Sequence, residues 1–144
     1  MLSLISVSVF YSVLLQIVAW TSPGEMKTPT RLLTQQSWKL VAVGLDVNSN
    51  NHIDEEENQR QYCQEDDLIS FFPDGRGRYQ ENTISCDGIG EYHFNWRFVR
   101  GTSRIVWQYH SLVILRLSEE VLVLYREGYS ERGEPLRYLM TYRH

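Results

Sequence analysis

The sequence contains no histidine pair at metal-ligand spacing: His52, His93, His110 and His144 form neither His-x-His nor His-Glu-x-x-His, so no zinc or iron set of that kind is written into it. It also lacks a Gly-rich phosphate loop and a nucleophile elbow. Catalytic chemistry is therefore not expected, and the chain reads as a non-enzyme. Basic residues are few and scattered, 14 Lys and Arg against 18 Asp and Glu for a net charge of −4, which leaves no electrostatic footprint for nucleic acid. There is no internal repeat and no low-complexity run. At 144 residues the chain has room for one domain.

What is present is aromatic and punctuated. Aromatics make up 12% of the chain, with nine Tyr, and apolar residues fall in short runs separated by Gly, Pro, Asp and Asn. That texture belongs to an all-β protein. The exception is the start, MLSLISVSVFYSVLLQIVAW, which holds no charged residue. Its length and apolarity suit a secretory signal or a short membrane anchor. The organisation expected is a signal peptide or anchor at 1–24, a linker at 25–35 and a β domain at 36–144. Membrane contact is then confined to the N-terminal segment if uncleaved, and the domain is extracytoplasmic.

Only two cysteines occur, Cys63 and Cys86, and they flank a hairpin in which Phe72-Pro73-Asp74-Gly75-Arg76 suits a type I turn with left-handed Gly75. The turn sets Leu68 opposite Gln80. It leaves the cysteines one position out of register, so an irregular lead-in at Cys63 must absorb the difference. A disulfide fits an exported chain; two separate buried thiols are the alternative.

Eight strands can be traced from Ser37 onward. In the first, Trp38, Leu40 and Ala42 share one face, and Lys39, Val41 and Val43 the other. A polar insertion at 46–67 follows, too long for a hairpin turn. The hairpin gives strands two and three. In the fourth, EYHFNWRFV, Tyr92, Phe94, Trp96 and Phe98 face one way, and Glu91, His93, Asn95 and Arg97 the other. In the fifth, Ile105, Trp107 and Tyr109 share a side, and His110 falls in the following turn. LVILRL, VLVLYR and LRYLMTYR complete the set. Short links favour an antiparallel up-and-down order, and closure of eight such strands into a barrel removes exposed edges.

The order of several motifs then carries a resemblance: Trp38-Lys39-Leu40, an acidic insertion, Cys63-Gln64-Glu65-Asp66-Asp67, Pro73-Asp74-Gly75, Cys86-Asp87, an aromatic strand and Leu117 to Leu124. Over roughly residues 32–127 this resembles the lipocalin-like domains of exported bacterial proteins. Gln36 stands where lipocalins carry Gly, and no Cys precedes Cys63, so lipid anchoring is not implied. The resemblance implies an eight-stranded barrel able to hold a small lipophilic ligand, with Tyr92, Phe94, Trp96, Phe98, Ile105, Trp107 and Tyr109 as its lining. The same side chains are bulky enough to fill the barrel themselves. Two functions stand side by side: a binding protein for a small lipophilic molecule, and a cell-surface interaction or structural module with a filled barrel.

The insertion offers a candidate calcium loop, DVNSNNHIDEEE. Calcium takes six to eight hard oxygens, and the spacing supplies Asp46, Asn48, Asn50, the His52 carbonyl, Asp54 and Glu57. Asn51 stands where a calcium loop has Gly, and it tolerates left-handed backbone better than other non-Gly residues. The competing reading is a polar connection without metal.

Overall fold

The computed structural model describes residues 27–144 apart from Asp87 and Ile89. The expected signal or anchor at 1–24 lies outside the described residues. Eight strands form: β1 (Trp38–Leu45), β2 (Leu68–Phe71), β3 (Arg76–Gln80), β4 (Glu91–Val99), β5 (Arg104–Trp107), β6 (His110–Leu117), β7 (Val121–Tyr129) and β8 (Pro135–Arg143). Each pairs antiparallel with the next, and β8 returns to β1 to close the barrel. The up-and-down barrel expected from the strand pattern and from the resemblance is the fold observed.

Local chemistry sets the register as the sequence implies. Gly75 has φ of 84°, Phe72 N–H donates to the Arg76 carbonyl at 2.8 Å, and Leu68 faces Gln80. Only a residue without Cβ takes that backbone cheaply. In β4, Phe94 and Trp96 are buried while Glu91, His93, Asn95 and Arg97 are exposed.

Three placements differ from the sequence reading. The β1–β8 ladder shifts between Leu40 and Ala42, a bulge that turns the strand's faces over. Val43, not Ala42, therefore continues the buried face begun by Trp38 and Leu40. Next, β5 ends at Trp107, and Gln108 adopts φ of 54° in a two-residue turn. Tyr109 is left 98% exposed, outside the barrel, and His110 is the first residue of β6 rather than a turn residue. Finally, the stretch read as a linker contains a helix, α1 (Pro29–Thr34), with Thr28 accepting from Arg31 N–H and proline in the first turn.

The two ends of the barrel differ in construction. At one end lie the β2–β3, β4–β5 and β6–β7 turns, the start of β1, and α1, which packs against β2 and β6. There Leu33 is buried and its carbonyl accepts the Trp38 indole N–H at 2.9 Å. The His144 ring lies 3.8 Å from the Trp38 ring. The opposite end carries the long connections, residues 46–67 and 81–90. No helix of the described residues is long and apolar enough to cross a membrane.

Candidate functional site

Aromatic packing fills the closed end of the barrel. Phe71 is 2% exposed and meets Phe94, Trp96 and Trp107 edge-on at 5.7, 5.6 and 5.6 Å, the geometry that aromatic quadrupoles favour. Trp96 also has its polar edge satisfied, its indole N–H donating to the Arg76 carbonyl at 2.8 Å. Gly77 makes room for the cluster: a Cβ there would stand 2.2 Å from the Phe94 ring.

Toward the open end the packing stops, leaving a cavity of about 500 Å³. Trp38 and Ile69 form its deep wall, Leu40 and Met140 its aliphatic sides, and Tyr79, Tyr92, Tyr138 and Tyr142 bring phenols to it. A smaller lobe of about 220 Å³ shares Tyr92, Trp107, Tyr138 and Met140 and reaches His110 and Arg126 at the rim. The volume and mixed lining fall within the range of small-molecule pockets.

Among the described residues, one charged side chain lines the larger lobe. Asp67 is 3% exposed and accepts a hydrogen bond from the Tyr79 hydroxyl. Tyr79 in turn stacks on Tyr92 with centroids 4.8 Å apart, a contact placed by their direct pairing across β3 and β4. Burial first, and the Asp67 hydrogen bond second, push the Tyr79 phenol well above its ordinary range. Burial likewise raises Tyr142, with the Tyr92 and Tyr138 phenols adding to it. Both remain neutral hydroxyls at physiological pH.

The insertion builds part of the wall. β1 pairs with β2 only at Trp38 and Lys39, which leaves the remaining edge of β1 to another partner. Residues 58–60 take it: Val43 N–H donates to Asn58 Oδ1 at 3.2 Å, and Gln59 N–H to the Val43 carbonyl at 2.7 Å. Gln59, Gln61 and Gln64 thereby reach the cavity. The insertion also lies across the outside of β1, where the Glu57 carbonyl would be 2.0 Å from a Cβ on Gly44.

The disulfide fixes this wall. Cys63, in a 3₁₀ turn at Tyr62–Gln64, is bonded to Cys86 with Cα atoms 5.2 Å apart. The irregular turn is what absorbs the register offset expected for this pair. Alongside it, Asp66 accepts from Thr83 and Ile84 N–H at 2.7 and 3.2 Å, and Glu81 from Cys86 N–H at 3.1 Å. Both connections at the open end are thus tied to each other.

The candidate calcium loop closes on itself. Asp46 accepts from Asn50 and Asn51 N–H at 3.0 and 3.1 Å and pairs with the Arg137 guanidinium at 2.8 Å. Glu57 accepts from Val47 and Asp54 N–H at 2.9 and 3.1 Å, while the Asn48 and Asn50 amides donate to Asp54. Asn50 Oδ1 accepts His52 N–H at 2.8 Å, and Asn51 takes the left-handed conformation, φ 64°. Among the described residues no three His, Cys, Asp or Glu side chains are grouped to hold a metal ion. In this arrangement the Arg137 guanidinium supplies positive charge beside Asp46, and backbone amides engage both end carboxylates.

Of the seven side chains expected to line a ligand site, Tyr92 and Trp107 border the cavity. Phe94, Trp96 and Ile105 are buried in the filled part. Phe98 packs on Trp96 at 5.5 Å toward the closed end, and Tyr109 is outside. Asp67, Tyr79, Tyr138, Met140 and Tyr142 were not among the sequence candidates. Period-two alternation marks Asp67, Ile69 and Phe71 as one face of β2, and Tyr138, Met140 and Tyr142 as one face of β8.

No protein-family model matches this chain, and no curated protein matches it. Among solved structures it is similar to bovine odorant binding protein in the form of a deswapped triple mutant, at 18% identity over 76% of this chain and 72% of that one, with a TM-score of 0.43.

Proposed function

We propose that this protein is an exported, non-catalytic binding protein that holds one small, largely apolar molecule in the open half of its barrel. The observation that carries this reading is the cavity of about 500 Å³ bounded by Trp38, Leu40, Trp107 and Met140. A barrel evolved only as a filled scaffold has no use for such a void, since each missing contact costs stability. The disulfide supports export, because such bonds persist in oxidising surroundings. Phenols and amides around the apolar wall suit a ligand with one polar end.

Trp38 and Trp107 serve as reporters. Titrating the oxidised protein with 4-phenylbutan-1-ol while following tryptophan emission is expected to give a saturable change that Trp107→Phe reduces. Absence of saturation with this and a wider set of apolar alcohols, aldehydes and amines would return the barrel to the second reading, a structural or interaction module.

A further inference from the structure

We infer that the outer wall of the barrel carries a docking groove for an acidic, partly apolar stretch of polypeptide in extended form. Two clefts make it. One, of about 490 Å³, lies between the start of α1, the β4–β5 turn and the end of β6. The other, of about 300 Å³, lies on the outside of β6, β7 and β8, bordered by Asn51 and His52 of the insertion. Leu115 and Arg116 line both clefts, which therefore meet at this point. The β6–β7 ladder shifts between Ile114 and Arg116, and the bulge leaves Leu115 and Arg116 both exposed.

The lining sets the chemistry of the partner. Leu122 and Leu124 are fully buried in the core, so alternation turns Val121 and Val123 to the outer face, where with Leu115 they give an apolar floor. The charged residues of the two clefts are Arg100, Arg116 and Arg143, and no Asp or Glu lines either one. All three guanidinium groups are exposed, and among the described residues they enter no ion pair or side-chain hydrogen bond. Lys39 stands directly opposite Arg143 in the β1–β8 ladder, a pairing of like charges that destabilises a sheet and that a bound anion relieves. At the β6–β7 turn Glu119 is already held by Lys27 at 2.6 Å, and Glu120 lines neither cleft. In a chain of net charge −4, this face is complementary to an acidic partner. Concave clefts on a curved wall admit an extended chain, whose side chains alternate between floor and rim, and not a flat bilayer. From the β4–β5 turn to β8 is about four strand spacings, roughly 19 Å, the reach of about six extended residues.

The inference is independent of the ligand cavity, which none of these arginines lines. Fluorescein-labelled hexapeptides alternating Asp or Glu with Leu, Val or Phe are the probes, read by fluorescence anisotropy against the oxidised protein at low salt. Saturable binding is expected for at least one of them, weakened at least tenfold by Arg116→Glu and by Arg143→Glu, and weakened again as salt is raised. Arg132→Glu, an exposed change outside both clefts, should leave it unaltered. No saturation by any of these peptides at millimolar concentration overturns the inference. So does equal loss in Arg132→Glu, which would show a general charge effect, or equal affinity for peptides in which Ser replaces the apolar residues. Binding of vesicles of phosphatidylcholine and phosphatidylglycerol that Arg116→Glu abolishes, with no peptide bound, would make this a lipid-facing surface and overturn it as well.

Discussion

The closed and open halves of this barrel are made from the same strands and the same alternation, yet one is solid and the other hollow. At the closed end the inward positions are Phe71, Phe94, Trp96 and Ile105, with Phe71 edge-on to Phe94 and Trp96 and a glycine that admits the Phe94 ring. At the open end the inward positions are Tyr79, Tyr92, Tyr138 and Met140, which line the wall without meeting in the middle. The difference also lies in what covers each end. A short helix seals the first, whereas polar connections joined by a disulfide frame the second. The proposed reading places stability in the solid half and ligand binding in the hollow one.

The sharpest way to break this contrast is to truncate one residue from each half. Phe71→Ala removes a buried ring from three aromatic contacts and should cost about 3–5 kcal/mol; Met140→Ala, at a wall already facing empty space, should cost less than half as much in the same urea unfolding experiment. Equal losses would mean that the open half carries stability like the closed one. Next in size is the disulfide. Cys63→Ser with Cys86→Ser releases a cross-link spanning 23 residues, expected to cost about 3 kcal/mol. It should also weaken ligand binding, because the insertion wall loses its tether. Unchanged affinity would show the wall to be held by its hydrogen bonds alone.

Alkaline pH gives a smaller effect located in the open half. The Tyr79 and Tyr142 phenols are raised above the ordinary tyrosine value of 10.0, chiefly by burial. Above about pH 10 the unfolded chain releases these protons and the folded one retains them. Their contribution is therefore complete below that pH and lost as pH rises through and beyond it. Thermal unfolding between pH 9 and 11 should show a falling Tm with a shallower fall in Tyr142→Phe, and identical slopes would contradict the assignment. The smallest effect is expected from calcium. With Arg137 paired to Asp46 at 2.8 Å, millimolar calcium should leave Tm within about a degree, against the several degrees that ligand at 100 times its Kd brings to a domain of this size.

Much of this contrast was legible in the sequence, and the gaps have physical causes. Pro73-Asp74-Gly75 determined a hairpin register, and the clean alternation of β4 determined its buried face. The bulge in β1 was not legible because Val41, Ala42 and Val43 are all apolar, so inverting the faces leaves no mark on the pattern. Tyr109 was misplaced because Gln108 and Tyr109 make a two-residue turn with neither Gly nor Asn, the residues that ordinarily take positive φ there. The insertion reads as a solvated loop because its residues are polar. Its place beside β1 follows from the short β1–β2 pairing, which no local pattern announces. The burial of Asp67 is likewise not announced by the pattern, since a carboxylate preceding a strand ordinarily belongs to the surface.

The central claim, that the open half of the barrel is a site and the closed half its support, is tested most directly by filling the cavity. Leu40→Phe places a ring in the void while leaving the Phe71 cluster untouched. Titration of this variant and the wild type with 4-phenylbutan-1-ol should show affinity lost at least tenfold in Leu40→Phe, with unfolding free energy held or raised as new contacts form. Undiminished binding in a folded Leu40→Phe would place the ligand elsewhere and contradict the account.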